Sequence, residues 1–336
     1  MMNLLITIPE GEVRNSFLNA ETIALLKKHF NVFFNDTGKN YQPETVFEAA
    51  KDMDVLVTGW GTPFLCDAGL TEKNTRLKLI VHTGGSVGDI LDSRAYENGV
   101  TVISGNKIYA ESTAEGTLAY ILAALRHIPD DAVNMRGSDY WNSPYLTKGL
   151  FERTVGIIGV GSVSRNLMRF MKPFRVKLKV WDTYSVEKEF LEEVNAAQTS
   201  LDEVLSTCSV VSLHMALGSA TRGLIGKREL SLIPDGALFV NTSRGPIIDE
   251  TALTEALAGG RFNAILDVYT KEPLSGDSPL RNLPNVYLMP HKAGPTYDLR
   301  GMIGYKLAED AVNFFAGNPL TYEIKADAAM RMTKHS

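Results

Sequence analysis

Four short segments gather acids, bases and hydroxyls where apolar runs end. They are Leu213-His214, Val240-Asn241-Thr242-Ser243-Arg244-Gly245, Leu266-Asp267-Val268-Tyr269-Thr270-Lys271-Glu272-Pro273 and Met289-Pro290-His291-Lys292-Ala293-Gly294. An arginine fork can clamp a planar carboxylate, and a histidine beside an acid can pass a proton near neutral pH. Singly, each has an ordinary explanation: Arg244 as a turn cap, Glu272 as a solvated loop acid before a proline, His291 as a satisfied structural imidazole. Together they fall at the carboxyl edge of one sheet, where open α/β sheets bind their ligands, and that convergence favours a site.

A fifth segment runs Thr154-Val155-Gly156-Ile157-Ile158-Gly159-Val160-Gly161-Ser162-Val163-Ser164 and is followed by Val180-Trp181-Asp182. An apolar run, a glycine turn, a helix-like stretch and a second apolar run ending in an acid form the order needed to hold a dinucleotide. Gly159 permits the tight turn and Gly161 lets the backbone approach a pyrophosphate. The N–H groups opening the helix, at Ser162 and Val163, face its phosphates, and Asp182, about 20 residues on, accepts bonds from ribose hydroxyls. Ser164 takes the place of the third glycine, where close helix–sheet packing usually wants no side chain.

The elements that must position these residues alternate strand and helix. Leu4–Ile8, Val32–Phe34, Val55–Val57, Leu79–Val81 and Val100–Ile103 read as buried strands, with a helix over Glu21–Phe30. A long helix spans Ala110–Arg126 and stops before Pro129, and Asp130–Lys148 shows no period. A second set of strands follows at Val155–Ile158, Leu178–Trp181, Val210–Leu213, Ala237–Asn241, Ala264–Asp267 and Val286–Met289. A last helix over Arg300–Phe315 runs up to Gly317-Asn318-Pro319 and a polar tail. Continuous apolar strands separated by helices imply parallel sheets covered on both faces.

The chain has 336 residues, above the size at which one core usually stops growing, so two domains are expected. A net charge of −5 gives no electrostatic case for nucleic acid or an anionic membrane, and no apolar run is long enough to span a bilayer. Cys66 and Cys208 lie far apart without a metal spacing and read as packed thiols. These features describe a soluble cytoplasmic enzyme or binding protein.

The combined signatures resemble the D-isomer-specific 2-hydroxyacid dehydrogenases. The match runs from about Leu77 through Gly294 and includes Thr221-Arg222-Gly223-Leu224-Ile225 beside the segments above. The resemblance implies two doubly wound parallel-sheet α/β domains, a Rossmann cofactor domain (109–298) inserted into a flavodoxin-like substrate domain (1–108 and 299–336), with the active site in the cleft. It implies NAD as cofactor, a small 2-hydroxy or 2-keto acid as substrate, no metal, and a homodimer joined through the cofactor domains. Arg244 would bind the substrate's carboxylate and carbonyl oxygen, and His291 would be the acid/base. Glu272 would orient that imidazole and favour its protonated form. Asp267, Thr242 and Ser243 would line the nicotinamide end, with His214 at the same cofactor. Backbone amides of Gly84, Gly85 and Ser86 would take the other side of the carboxylate.

Several positions depart from the family's pattern. Ser104 and Asn106 replace Asn and Pro, Met215-Ala216 replaces a small residue and proline, and Lys292 puts a cation next to His291. These changes suggest a divergent branch with its own substrate. Trp60, in Thr58-Gly59-Trp60-Gly61-Thr62-Pro63, could stack on a substrate side group or wedge against its own domain. A cofactor-binding sensor of the same fold, similar to co-repressor relatives and with little turnover, is the alternative reading; the intact Arg244, Glu272 and His291 argue for turnover.

Overall fold

Two parallel β-sheets, each with helices on both faces, carry the chain in a computed structural model that describes residues 1–66, 70, 74, 76–137 and 146–333. Contacts divide it into two units, Met1–Tyr109 with Pro295–Ser336, and Ala110–Gly294. The expected α/β class, doubly wound with parallel strands, is present in both.

In the first unit, strands β1 (Met2–Ile6), β2 (Phe30–Phe34), β3 (Val55–Thr58), β4 (Leu79–His82) and β5 (Thr101–Ser104) lie in the order β2-β1-β3-β4-β5. Alternate residues feed two cores. Leu4, Ile6, Val55, Val57, Leu79 and Val81 pack to one face, while Leu5, Leu56, Ile80 and Val102 pack to the other. That two-sided burial is why these strands read as unbroken apolar runs. On the first face, a Cβ at Gly304 would fall 1.7 Å from the carbonyl oxygen of Phe17, so glycine lets the helix Tyr297–Ala316 close on Glu12–Phe17.

The polar tail expected after Gly317 is corrected by the structure. Glu323 bridges Ile103 in antiparallel fashion, Ser104 N–H donates to Tyr322 O at 3.0 Å, and a helix follows over Ala326–Met330. The buried Asp310 carboxylate accepts the N–H groups of Thr321 and Tyr322 at 2.8 and 2.7 Å and so fixes where the tail turns back.

In the second unit, β6 (Thr154–Ile158), β7 (Lys177–Trp181), β8 (Ala196–Gln198), β9 (Val210–Leu213), β10 (Leu238–Asn241), β11 (Asn263–Leu266) and β12 (Val286–Leu288) run in the order β12-β11-β10-β9-β6-β7-β8. Strand order reverses between β6 and β9, the crevice where such sheets bind ligands. Val155, Ile157, Val210 and Val240 fill one core; Ile158, Val211, Leu213 and Phe239 fill the other. The long helix begins earlier than expected, spanning Asn106–Leu125.

As expected, the long helix ends before Pro129, at Leu125. Pro129 itself sits in the first turn of a second helix, Ile128–Asn134, where a proline needs no N–H partner. Part of the stretch that shows no period is therefore helical; positions 138–145 lie outside the described residues. Cys66 and Cys208 are free and buried, as packed thiols should be. Among the described residues no helix is long and apolar enough to cross a membrane.

Candidate active site

The glycine turn follows β6 at the strand-order reversal. Gly159 has φ +96°, and a Cβ there would press on Met215 N and the His214 carbonyl carbon at 2.7 and 2.8 Å. Glycine is needed for both the backbone conformation and the close approach to the end of β9. The helix Ser162–Met171 starts at Gly161 with no side-chain cap, and a Cβ on Gly161 would meet nothing within 4 Å. Uncapped N–H groups at Ser162 and Val163, beside bare backbone, fit a dinucleotide pyrophosphate.

Ser164 is buried in place of the third glycine. Its hydroxyl donates to Gly159 O at 2.7 Å, so the side chain is absorbed by the turn itself. Asp182, past the end of β7, accepts Val160 N–H at 2.6 Å on one oxygen and Tyr184 N–H at 3.2 Å on the other. The carboxylate is thereby held against the glycine turn. His214 pairs its Nε2 with Ser212 Oγ at 2.8 Å, and burial pushes its imidazole down to about 4.

The acid–base cluster is built from the ends of β10, β11 and β12. After β10, the buried Asn241 accepts from Ser243 N–H at 3.0 Å and donates to Arg244 O at 3.2 Å, shaping the loop that carries Arg244. Arg244 Nη1 donates to Ser243 O at 2.7 Å, and Thr242 Oγ1 lies 2.8 Å from Thr117 Oγ1 on the long helix. A Cβ at Gly245 would land 2.0 Å from the Tyr269 carbonyl carbon. That contact brings the Arg244 loop onto the backbone leading to Glu272.

Glu272 acts as a bridge. Its Oε1 accepts Tyr269 N–H at 3.1 Å and its Oε2 lies 2.7 Å from His291 Nδ1. A carboxylate here only accepts, so Nδ1 carries the proton and Nε2 is left for exchange. The pair keeps solvent access, with side chains 36% and 48% exposed. His291 itself has φ +54°, a left-handed conformation that costs a non-glycine residue of order 1 kcal/mol or more.

Asp267 helps hold that turn. Only 1% exposed, it accepts Lys292 N–H at 2.8 Å, Ala293 N–H at 2.9 Å and the Tyr120 hydroxyl at 3.3 Å. Burial raises its carboxyl above the usual range, against the lowering effect of those bonds. Lys292 is an exposed residue whose backbone faces Asp267. Tyr269 donates its hydroxyl to Met289 O at 2.8 Å, with Leu266 O at 3.0 Å, tying the exits of β11 and β12 together.

Within the first unit, Gly84, Gly85 and Ser86 follow β4. Ser86 Oγ donates to Thr333 O at 3.2 Å and Ser104 Oγ to Gly85 O at 3.2 Å, which fixes the loop. His82 is buried beneath it against Thr58 Oγ1 at 3.0 Å, and burial pushes its imidazole down to about 4. Trp60 is 43% exposed; its indole packs edge-on to Phe17, ring centroids 5.2 Å apart, with the Arg300 guanidinium 5.0 Å from its ring. The ring is braced on its own unit and still presents a surface.

Sequence reasoning missed Thr117, Tyr120 and Tyr269 as supports of the site. Thr117 and Tyr120 stand three residues apart on one face of the helix Asn106–Leu125, the spacing that could have marked them.

Residues 118–293 match the family described as D-isomer specific 2-hydroxyacid dehydrogenase, NAD binding domain. A glyoxylate reductase of Aeropyrum pernix is 32% identical over 308 residues, 88% of this chain and 90% of that protein. A D-3-phosphoglycerate dehydrogenase of Archaeoglobus fulgidus is 34% identical over 258 residues, 76% of this chain. The chain spans about half the length of that relative, 48%. The crystal structure of a glyoxylate reductase from Paecilomyes thermophila superposes with a TM-score of 0.80 at 24% identity, covering 97% of this chain and 99% of that one. The chain belongs to the D-isomer-specific 2-hydroxyacid dehydrogenase family, with its NAD-binding domain at residues 118–293.

Proposed function

We propose that the protein interconverts a small D-2-hydroxy acid and its 2-keto acid with NAD, in the cytoplasm and as a homodimer. The observation that carries the reading is the His291–Glu272 pair, 2.7 Å apart, on a left-handed turn beside the Arg244 loop. NAD, when bound, supplies the hydride acceptor for oxidation and the donor for reduction. Arg244 holds the substrate's carboxylate and carbonyl oxygen through its two-pronged guanidinium, and amides of Gly84, Gly85 and Ser86 take the carboxylate's other side. His291 Nε2 takes the hydroxyl proton in oxidation and returns it in reduction, while Glu272 balances the imidazolium.

Asp267, Thr242, Ser243 and His214 line the nicotinamide end of the cofactor, and Gly159, Gly161, Ser162, Val163 and Asp182 hold its pyrophosphate and adenosine ribose. Trp60 packs on the substrate's side group. In this reading residues 1–108 and 299–336 form the substrate domain, and the cofactor domain at 109–298 is inserted between them in the sequence. The names of the relatives suggest glyoxylate and phosphorylated three-carbon keto acids as first substrates to try. The test is loss of NADH absorbance with a panel of 2-keto acids, beside NADH binding followed by its fluorescence. Turnover of at least one acid is expected. Tight NADH binding with no turnover across the panel would overturn the enzyme reading and favour the sensor.

A further inference from the structure

Arg165 lies in the first turn of the helix Ser162–Met171, directly behind the glycine turn. Its Nε donates to Val160 O at 3.4 Å, and Val160 N–H is the group that binds Asp182. A single residue of backbone therefore joins the arginine to the acid that faces the adenosine ribose. The guanidinium does not point freely into that space. It lies over the Phe190 ring, 4.3 Å from the centroid, and its Nη2 donates to Glu187 across a charge-assisted bond. The Arg165 side chain is 27% exposed and that of Glu187 63%. This partner keeps the Glu187 carboxyl below its usual range, so the acid is charged at neutral pH. The neighbouring Arg169 is committed in the same way, with two bonds to Glu193 at 2.7 and 3.0 Å.

In dinucleotide sites of this kind, an arginine near the ribose acid is what accommodates a 2′-phosphate. We propose that Glu187 is a determinant of cofactor selectivity: it holds and neutralises Arg165, withholds that cation from a 2′-phosphate, and so keeps the site on NAD. Asp182 repels the phosphate directly, and Glu187 acts through Arg165 as a positioning residue. The inference rests on Asp182 facing the ribose and not on the acid–base reading of His291. Dinucleotide binding is measured without any turnover, so failure of one leaves the other intact.

The experiment is a fluorescence titration with NADH and with NADPH, giving both Kd values for the parent, Glu187→Gln and Arg165→Ala/Glu187→Gln. Glu187 is exposed and its replacement opens no core, and Glu187→Ala provides a second form of the same test. In Glu187→Gln the ratio Kd(NADPH)/Kd(NADH) should fall about fivefold, the upper range for releasing one exposed ion pair. Removing Arg165 as well should return the ratio to the parent's value. The gain in NADPH affinity should also weaken with added salt, because it is electrostatic. A ratio within twofold of the parent in both Glu187 variants would overturn the proposal, and so would a gain that survives Arg165→Ala. Loss of NADH binding in the Glu187 variants would overturn it too, since Glu187 would then support the site itself.

Discussion

Glu272→Gln is the sharpest perturbation of the site, because one carboxylate there serves two donors. Its oxygens accept Tyr269 N–H at 3.1 Å and His291 Nδ1–H at 2.7 Å. Glutamine has the same shape but a single acceptor oxygen. If that oxygen stays on Tyr269 N–H, the amide NH2 meets the imidazole and moves its proton to Nε2. The nitrogen that should take the hydroxyl proton is then blocked. If the amide flips to keep Nδ1–H, its NH2 opposes the N–H of the buried Tyr269. Leaving such a donor unpaired costs about 1–3 kcal/mol. At about 1.36 kcal/mol per decade, that is roughly 5- to 150-fold. We expect kcat/KM for hydroxy-acid oxidation to fall about 10- to 100-fold, with the NADH Kd within about twofold of the parent. The assay is steady-state NADH absorbance, with the fluorescence titration and a melting curve as controls. A variant that keeps kcat/KM within about threefold would refute the clamp. So would one whose loss lies entirely in cofactor binding.

Three further outcomes follow from the same geometry. Arg244→Lys keeps the charge but loses the fork, and should cut kcat/KM at least about tenfold at unchanged NADH affinity; loss of cofactor binding first would contradict the role. Gly245→Ala sets a Cβ 2.0 Å from the Tyr269 carbonyl carbon, backbone against backbone, so both Tm and turnover should drop. An unchanged Tm would show that the two loops do not need this contact. Burial pushes the imidazoles of His82 and His214 from 6.5 down to about 4 in the fold, so the unfolded chain binds more protons between those values. Stability to urea should be full above about pH 6.5 and decline as pH falls toward 4, and His82→Gln/His214→Gln should flatten the decline; an identical slope in that variant would exclude these groups as its source.

What could be read from the residues was whatever depends on local pattern. Two-sided strands show as apolar runs such as Val55-Leu56-Val57, and Gly159-Val160-Gly161 marks the turn because only glycine takes φ +96° against β9. The carboxyl-edge residues stood out because polar groups end otherwise apolar strands. Features set by tertiary partners did not show. The three-residue edge strand Ala196–Gln198 has no pattern of its own and forms only by pairing with β7. The second helix was hidden because Pro129 reads as a breaker, whereas it sits in that helix's first turn, after the left-handed His127. The return of the tail to β5 depends on Asp310, which reads as an ordinary helix acid. The left-handed His291 has no sequence marker either, since Asp267, 24 positions earlier, holds the N–H groups that follow it.

In the proposed reaction, hydride passes between NADH and C2 of a keto acid while His291 delivers the proton to its oxygen. The most direct test uses NADH deuterated at the transferring position of the ring. A turned-over 2-keto acid is the substrate, and the product is analysed by mass and on a chiral column. The expected product is a D-2-hydroxy acid carrying one deuterium at C2, with formation lost in His291→Asn while NADH binding persists. A racemic or L product, deuterium absent from C2, or full activity in His291→Asn would contradict it.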